Sequence, residues 1–274
     1  VLKELGISEK DIDRIKDVPY QELYNAGQRA MAASIGTRRP GTPMMWGFGP
    51  TPDGEVVLQQ PFQPGFADIS SNVPLLIGTT FNELQRLNYN RNITLEQART
   101  ELQRTFADET DAYIDAFAEA YPDYTPQDLL SIDWLFRPKT IITADYVAKS
   151  RKAKTYTYMF TWRSPINKGS VHGNELNFCF NTLERAGNEL PQPTEQDYEL
   201  ADIMSSVWAQ FAKTGNPNIK ELPKWKAYTA KNGEMMIFDY DCEIRNNPDR
   251  KLEEIIDRHC FKQLDEFRKK QAGK

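Results

Sequence analysis

The sequence predicts an α/β fold, because short apolar strands alternate along the chain with amphipathic helices. Residues 73–78 and 155–160 are runs of apolar, β-branched and aromatic side chains, which is typical of parallel strands covered on both faces. Residues 235–239 predict one more short strand. Three strands are few for a sheet that carries helices on both faces. We therefore expect a three-layer α/β/α architecture whose sheet is incomplete in this chain.

The helices follow from apolar residues that recur every three or four positions. Two are predicted before the first strand, at residues 2–15 and 20–34, and the second is expected to end at Gly36, a residue that suits a helix C-cap. Residues 38–53 are rich in proline and glycine and predict an irregular stretch. Later helices are predicted at residues 95–106, 111–121, 126–130, 140–152, 194–214 and 251–267. Because the sequence has no internal repeat and no clear linker, we expect one domain over residues 1–274.

Composition argues against several classes of function. Of the 274 residues, 39% are apolar and 11% are aromatic, which is enough for a large packed core. The net charge is −5 and the basic residues are dispersed, so nucleic acid is not expected as a partner. No apolar run approaches the roughly 20 residues that cross a bilayer, so no membrane partner is expected either.

Neither a metal site nor a disulfide framework is expected. The three cysteines, Cys179, Cys242 and Cys260, are widely spaced, and the chain has only two histidines. Residues 92–94 read NIT, a glycosylation sequon, but such triplets are too frequent by chance to indicate secretion. The compartment stays open.

His172 is the residue that points most directly to chemistry. It lies between Gly169 and Gly173 in a polar loop after the predicted strand 155–160, and loops at strand ends are common places for catalytic residues. An imidazole can accept and return protons near neutral pH. Taken alone, a histidine in a turn is more often a surface residue without function. His259 lies in the predicted helix 251–267, where packing is the simpler interpretation.

Four segments in a fixed order resemble the C-terminal half of the type B carboxylesterases, a family with the α/β-hydrolase fold. They are residues 48–54 (FGPTPDG), 73–83 (VPLLIGTTFNE), 172–176 (HGNEL) and 208–217 (WAQFAKTGNP), and LPKW follows at 222–225. None is decisive alone, but together their order and spacing carry the resemblance. It implies the C-terminal portion of an α/β-hydrolase fold and hydrolysis of a small carboxylic ester without metal or cofactor.

The family uses a serine that attacks the ester, a histidine that moves the proton and a carboxylate that orients the histidine. The resemblance implies His172 as the base and Glu83 as the acid, in the chain order that α/β-hydrolases follow. The family's acid loop usually reads Asp-Glu-Gly, whereas residues 82–84 read NEL. Glu175 is expected to be a buried supporting carboxylate. From its position alone, Glu83 is also compatible with a carboxylate at a helix N-terminus.

The nucleophile is the missing member of this group. The sequence contains no G-x-S-x-G, and the elbow-like AASIG around Ser34 falls in a stretch of helical periodicity, not after a strand. We therefore expect the serine in an N-terminal half of the same protein, which is the expected partner, and we expect this chain alone to be inactive. The alternatives are a non-catalytic member of the fold that acts in adhesion or interaction, and an inactive truncated product.

Three further residues are candidates for the substrate pocket. By alignment to the turn at residues 48–54, Met44 and Trp46 fall where relatives line the acyl side of the gorge. Leu87 lies one helical turn past the acid. Ordinary core packing explains each of the three equally well.

Overall fold

A computed structural model describes residues 1–35, 52–58, 70–83, 92–150 and 152–260 of the chain. It divides into two compact units, Val1–Gln60 and Pro61–Lys274. The single domain expected from the sequence stays a prediction. Within the described ranges, no helix is both long enough and apolar enough to cross a membrane.

The described part of the first unit contains two α-helices, α1 (Leu2–Leu5) and α2 (Tyr20–Ile35), with a 3-10 helix at Glu9–Asp17 between them. The predicted continuous helix 2–15 is wrong. Gly6 ends α1 in the left-handed conformation with φ 64°, which glycine adopts at little cost, so the chain turns out of the helix there. The predicted helix 20–34 is confirmed by α2.

The second unit is built on a sheet that has four strands in the part of the chain described: β1 (Leu75–Thr80), β2 (Thr155–Phe160), β3 (Glu234–Phe238) and β4 (Glu243–Asn246). Their order in the sheet is the order in the chain, with β1, β2 and β3 parallel and β4 antiparallel. The three predicted strands are confirmed, the first shifted by two positions. The sequence did not predict β4, because three of its four side chains are polar and none is buried.

The helices of this unit largely follow the predicted ranges. Among the described residues, the α-helices are α3 (Leu95–Phe106), α4 (Thr110–Ala120), α5 (Arg137–Ser150), α6 (Leu176–Cys179), α7 (Glu195–Thr214) and α8 (Arg250–Cys260). The predicted helix 126–130 is wrong, since only Asp128–Leu130 is helical and forms a 3-10 turn. The short α6 was not predicted. Residues 261–267 of the last predicted helix lie outside the described residues.

Both faces of the sheet are covered, which confirms the three-layer expectation for this unit. Along β3, Met235 and Ile237 pack into a core formed with α3, α4 and α8. The alternate residues Met236 and Phe238 pack into a second core, formed with α7 and the aromatic side chains of β2. This alternation is what a strand buried on both faces requires.

The sheet also determines where the candidate catalytic residues lie. Because β1 and β2 are parallel neighbours, with Leu75 opposite Thr155 and Thr80 opposite Phe160, the loops that follow them leave the same edge. The loop after β1 carries Glu83 and the loop after β2 leads to His172. Parallel pairing therefore brings two positions that are distant in sequence to one place.

Gly78 is required by the close approach of β1 to β2. A Cβ added at Gly78 would lie 2.4 Å from the Tyr158 ring and 2.4 Å from the Tyr158 carbonyl oxygen, and the backbone contact cannot be relieved by a rotamer change. We expect Gly78→Ala to lower the free energy of unfolding by roughly 1–3 kcal/mol, measured by urea denaturation. Gly27→Ala in α2 is the matched control, because a Cβ there meets no atom within 4 Å. Equal stability of the two variants would contradict the prediction.

Candidate active site

Glu83 follows β1 in a tight turn, in which Thr80 bonds both its carboxylate and its backbone amide. Its Oε1 accepts a hydrogen bond from the Thr80 amide at 2.9 Å, and the Glu83 amide donates to Thr80 Oγ1 at 3.1 Å. Its φ is 25°, in the region that non-glycine residues rarely adopt, so the turn imposes some backbone strain at this residue. Only 6% of Glu83 is exposed. The carboxylate is therefore buried, oriented and preorganised.

The structure brings Glu83 and His172 into direct contact. Glu83 Oε2 lies 2.6 Å from His172 Nδ1, and the His172 amide donates to the Glu83 carbonyl oxygen at 2.9 Å. The side chain of Glu83 is 8% exposed and that of His172 is 59% exposed, so a buried carboxylate presents an accessible imidazole. With the carboxylate ionised, this contact requires Nδ1 to carry a proton, which makes Nε2 the basic nitrogen of the neutral ring.

Asn82 fixes the two loops relative to each other. Its backbone amide donates to the Ser170 carbonyl oxygen at 2.9 Å, and its Oδ1 accepts from the Ser170 amide at 2.9 Å. Its Nδ2 donates to the Ser131 carbonyl oxygen at 3.0 Å. A fully buried amide that both donates and accepts suits this position, whereas an ionised aspartate only accepts. In the sequence, Asn82 stands out only as a departure from the family pattern, and the available signal for its role was a polar residue at the end of a buried strand.

The loop that carries His172 is closed by Asn174. Its Oδ1 accepts from the Val171 amide at 2.8 Å, and its Nδ2 donates to Glu189 Oε2 at 2.8 Å. Gly173 has φ 82°, a conformation that favours glycine, and so allows the sharp turn directly after the histidine. The imidazole is thus carried on a loop with a defined backbone.

Glu175 lies beneath the same loop, directly before α6. Its Oε2 is buried and has no hydrogen-bond partner among the residues that the structure describes. Burial raises the pKa of Glu175, a hydrogen bond from its own backbone opposes that, and the nearby negative charge of Glu83 raises the pKa further. Glu175 therefore retains a proton to higher pH than an ordinary glutamate. Glu175 is half-buried, and it lies close enough to Glu83 and His172 for both charges to influence its pKa.

Phe136 is a neighbour of His172 that the sequence did not reveal. Its ring is nearly parallel to the imidazole, with 6.0 Å between the ring centroids and 11° between the planes. No motif surrounds Phe136, and a phenylalanine at the start of a helix does not by itself indicate a function. Its position beside His172 could therefore not be predicted from the sequence.

Four further residues were singled out in the sequence, namely three pocket candidates and Ser34. Met44, Trp46 and Leu87 lie outside the described residues. The backbone of Ser34 is part of α2, as the periodicity indicates, and does not follow a strand. Across the described ranges, no three His, Cys, Asp or Glu side chains cluster in a way that could hold a metal ion.

A model of the carboxylesterase family matches residues 3–253 of the chain. Among curated proteins, the para-nitrobenzyl esterase of Bacillus subtilis (strain 168) is 29% identical over 264 residues, which are 90% of this chain and 50% of that protein. Carboxylesterase 1E of Rattus norvegicus is 31% identical over 127 residues, 42% of this chain and 21% of the relative. The chain therefore spans about half the length of the Bacillus subtilis protein, and its match to the Rattus norvegicus protein covers a smaller share.

Solved structures give the same fold. An esterase from anaerobic Clostridium hathewayi, described as able to hydrolyse aliphatic aromatic polyesters, superposes with a TM-score of 0.80 at 28% identity, over 94% of this chain and 51% of that one. A thermophilic para-nitrobenzyl esterase superposes with a TM-score of 0.64 at 24% identity, over 93% of this chain and 52% of that one. These neighbours have the α/β-hydrolase fold, which confirms the predicted fold class.

Proposed function

The chain belongs to the carboxylesterase family, and from that premise we propose that it provides the acid and the base of a serine esterase. The observation that carries the proposal is the 2.6 Å contact between Glu83 Oε2 and His172 Nδ1 at one edge of the sheet. In the proposed reaction, a carboxylic ester is hydrolysed through a serine, Glu83 and His172, without metal or cofactor.

His172 moves the proton in this reaction. Its Nε2 accepts the proton of the serine hydroxyl as the serine oxygen bonds to the ester carbonyl carbon, and it returns that proton to the departing alkoxide. A water molecule then repeats the sequence on the acyl-enzyme and releases the carboxylic acid. Glu83 stays ionised, holds the imidazole in the Nδ1–H tautomer and stabilises the imidazolium. The hydrogen bond from the Thr80 amide supports that role, because it stabilises the ionised form of the carboxylate.

The proposal assigns the serine to an N-terminal half of the same protein. It is supported by the lack of a G-x-S-x-G in the 274 residues and by the chain's span of 50% of the para-nitrobenzyl esterase. The oxyanion hole would come from the same half. The chain alone is then inactive, because removing one triad member leaves only a small fraction of the rate.

The other candidates have supporting roles in this proposal. Glu175 places a half-buried carboxyl with a raised pKa near the pair, and the proton that it retains to higher pH limits the negative charge close to the imidazole. Met44, Trp46 and Leu87 line the acyl side of the pocket. These assignments rest on the alignment of the motifs.

Fluorophosphonate labelling tests where the nucleophile lies. We expect no labelling of this chain alone, because Ser34 is in the helix α2 and lacks the strained strand-to-helix turn of an activated serine. We expect labelling of a completed protein, in which a serine-bearing N-terminal half precedes Val1. Ser34→Ala in the completed protein is the control and should not change the labelling. A label on Ser34 in the chain alone would overturn the assignment.

A further inference from the structure

An aromatic ring from another part of the chain lies beside the His172 imidazole. The Phe136 ring lies nearly parallel to it, with 6.0 Å between centroids and 11° between planes, within the range of offset-stacked aromatic pairs. Phe136 is 38% exposed, more than expected for a side chain whose role is to fill the core. Its position beside the imidazole therefore calls for another explanation.

The backbone at Phe136 is fixed on the preceding side by Asp133. Asp133 is only 2% exposed. Its carboxylate accepts hydrogen bonds from the backbone amides of Leu135 at 2.8 Å, Phe136 at 3.0 Å and Arg137 at 2.7 Å. The Asp133 amide donates to the Phe81 carbonyl oxygen at 3.0 Å, two residues before Glu83. The start of α5 is thus bonded to the acid loop.

On the following side, Phe136 is fixed by Arg137. The Arg137 guanidinium is 1% exposed and binds Asp249 through two hydrogen bonds, of 2.6 Å and 2.7 Å. A partly exposed aromatic ring is therefore held between two buried anchors. Such rigid support is what a residue that must keep a defined position relative to the imidazole requires.

We propose that Phe136 is a positioning residue for His172, which keeps the imidazole in the plane that directs Nδ1 to Glu83 and Nε2 to the reacting serine. The inference rests on the proposed function. Contact with an aromatic face also favours the positively charged ring, since the face carries negative electrostatic potential. Phe136 would therefore assist the step in which the imidazole becomes protonated.

Nuclear magnetic resonance of the 274-residue chain tests the geometry separately from catalysis. With only two histidines, labelled imidazoles give two sets of ring signals, and His259 reports whether the fold is intact through its contacts with Glu109 and Phe106. In Phe136→Leu and in Phe136→Met, we expect the His172 ring protons to move downfield, because the ring current of Phe136 is lost. Phe180→Leu is the matched control, since Phe180 is 73% exposed. Phe136→Tyr should retain the wild-type shift.

Turnover by the completed protein tests the consequence. Loss of a stacking contact worth about 0.5–1.5 kcal/mol should lower kcat about 2- to 13-fold in Phe136→Leu, with KM little changed. Phe136→Tyr keeps the aromatic ring and should have the wild-type kcat. Unchanged His172 signals in both ring-deleted variants would overturn the stacking. Changed signals with unchanged kcat would overturn the positioning role. Failure of the proposed function itself is distinguishable, because turnover would then survive His172→Ala whatever the Phe136 variants show.

Discussion

His172→Ala in the completed protein is expected to lower kcat for a para-nitrophenyl ester by about 10⁶-fold, the loss found when the histidine of a serine-hydrolase triad is removed. The reason is that no other group in the described part of the site is placed to take the serine proton. Glu83→Gln is expected to cost less, about 10⁴-fold, because a neutral amide no longer favours the Nδ1–H tautomer but leaves the imidazole in place. KM should change little in both variants, since neither side chain is assigned to ground-state binding. Steady-state kinetics over a range of ester concentrations would measure the two parameters.

The chain contains its own matched control for these variants. Glu109 and His259 form a second glutamate–histidine pair, with Glu109 Oε2 2.6 Å from His259 Nε2, next to the aromatic ring of Phe106. Their substitution by glutamine and alanine removes the same chemical contact elsewhere in the molecule. We expect kcat to be kept in those variants. If His172→Ala retained wild-type turnover, or if both pairs had equal effects, the assignment of Glu83 and His172 would be wrong.

The sequence predicted those parts of the fold that depend on local patterns. The strand at residues 155–160 and the helix α7 were predicted because a continuous apolar run and a cap-to-glycine pattern carry their own signals, and Thr194 and Gly215 do cap α7. The break after α1 was missed because the apolar periodicity of residues 2–15 indicates one continuous helix. In the structure, a single glycine, Gly6, ends the helix despite that periodicity. The antiparallel strand β4 was missed because its pairing with β3 is a tertiary contact that four mainly polar residues do not reveal.

The candidate site shows the same division. Glu83 and His172 were predicted as a pair because they lie in motifs whose order resembles a known family, and parallel pairing of β1 with β2 explains how residues 89 positions apart come into contact. The roles of Asn82 and Phe136 were not predicted. Each acts through contacts with residues that are distant in sequence, such as Ser131, and a single sequence does not contain that information.

Asp249→Asn is expected to lower the free energy of unfolding by up to about 3–5 kcal/mol, the cost of leaving one member of a buried ion pair wholly without a partner. Asp249 is 4% exposed and Arg137 is 1% exposed, and Asp249 also accepts a hydrogen bond from the Tyr121 hydroxyl at 2.7 Å. Arginine cannot release its proton in a protein, so the buried charge would remain. Arg137→Met should cost less, because Asp249 can then take up a proton. Urea denaturation would measure both differences.

The pH dependence of stability separates this pair from a general packing effect. Burial alone would raise the pKa of Asp249, but the charge of Arg137 and the hydrogen bonds from Arg137 and Tyr121 hold the pKa below its ordinary value of 3.8. Because the folded-state pKa is the lower one, the contribution of Asp249 is fully present above pH 3.8 and is lost as the pH falls through the folded-state value. The stability difference between wild type and Asp249→Asn should therefore shrink in acid.

Glu253 provides the control and a sharper test. Its Oε1 lies 3.7 Å from Arg137 Nε, but burial and the charge of Asp249 raise the pKa of Glu253 well above its usual range, despite the opposing charge of Arg137. Glu253→Gln replaces a carboxyl that keeps its proton to higher pH than an ordinary glutamate by a neutral amide, so it should change stability less than Asp249→Asn does. In Asp249→Asn the repulsion from Asp249 is absent, and Glu253 can ionise to replace it as the partner of Arg137. The double variant should therefore be less stable than the sum of the single changes predicts, whereas simple additivity would show that Glu253 does not compensate.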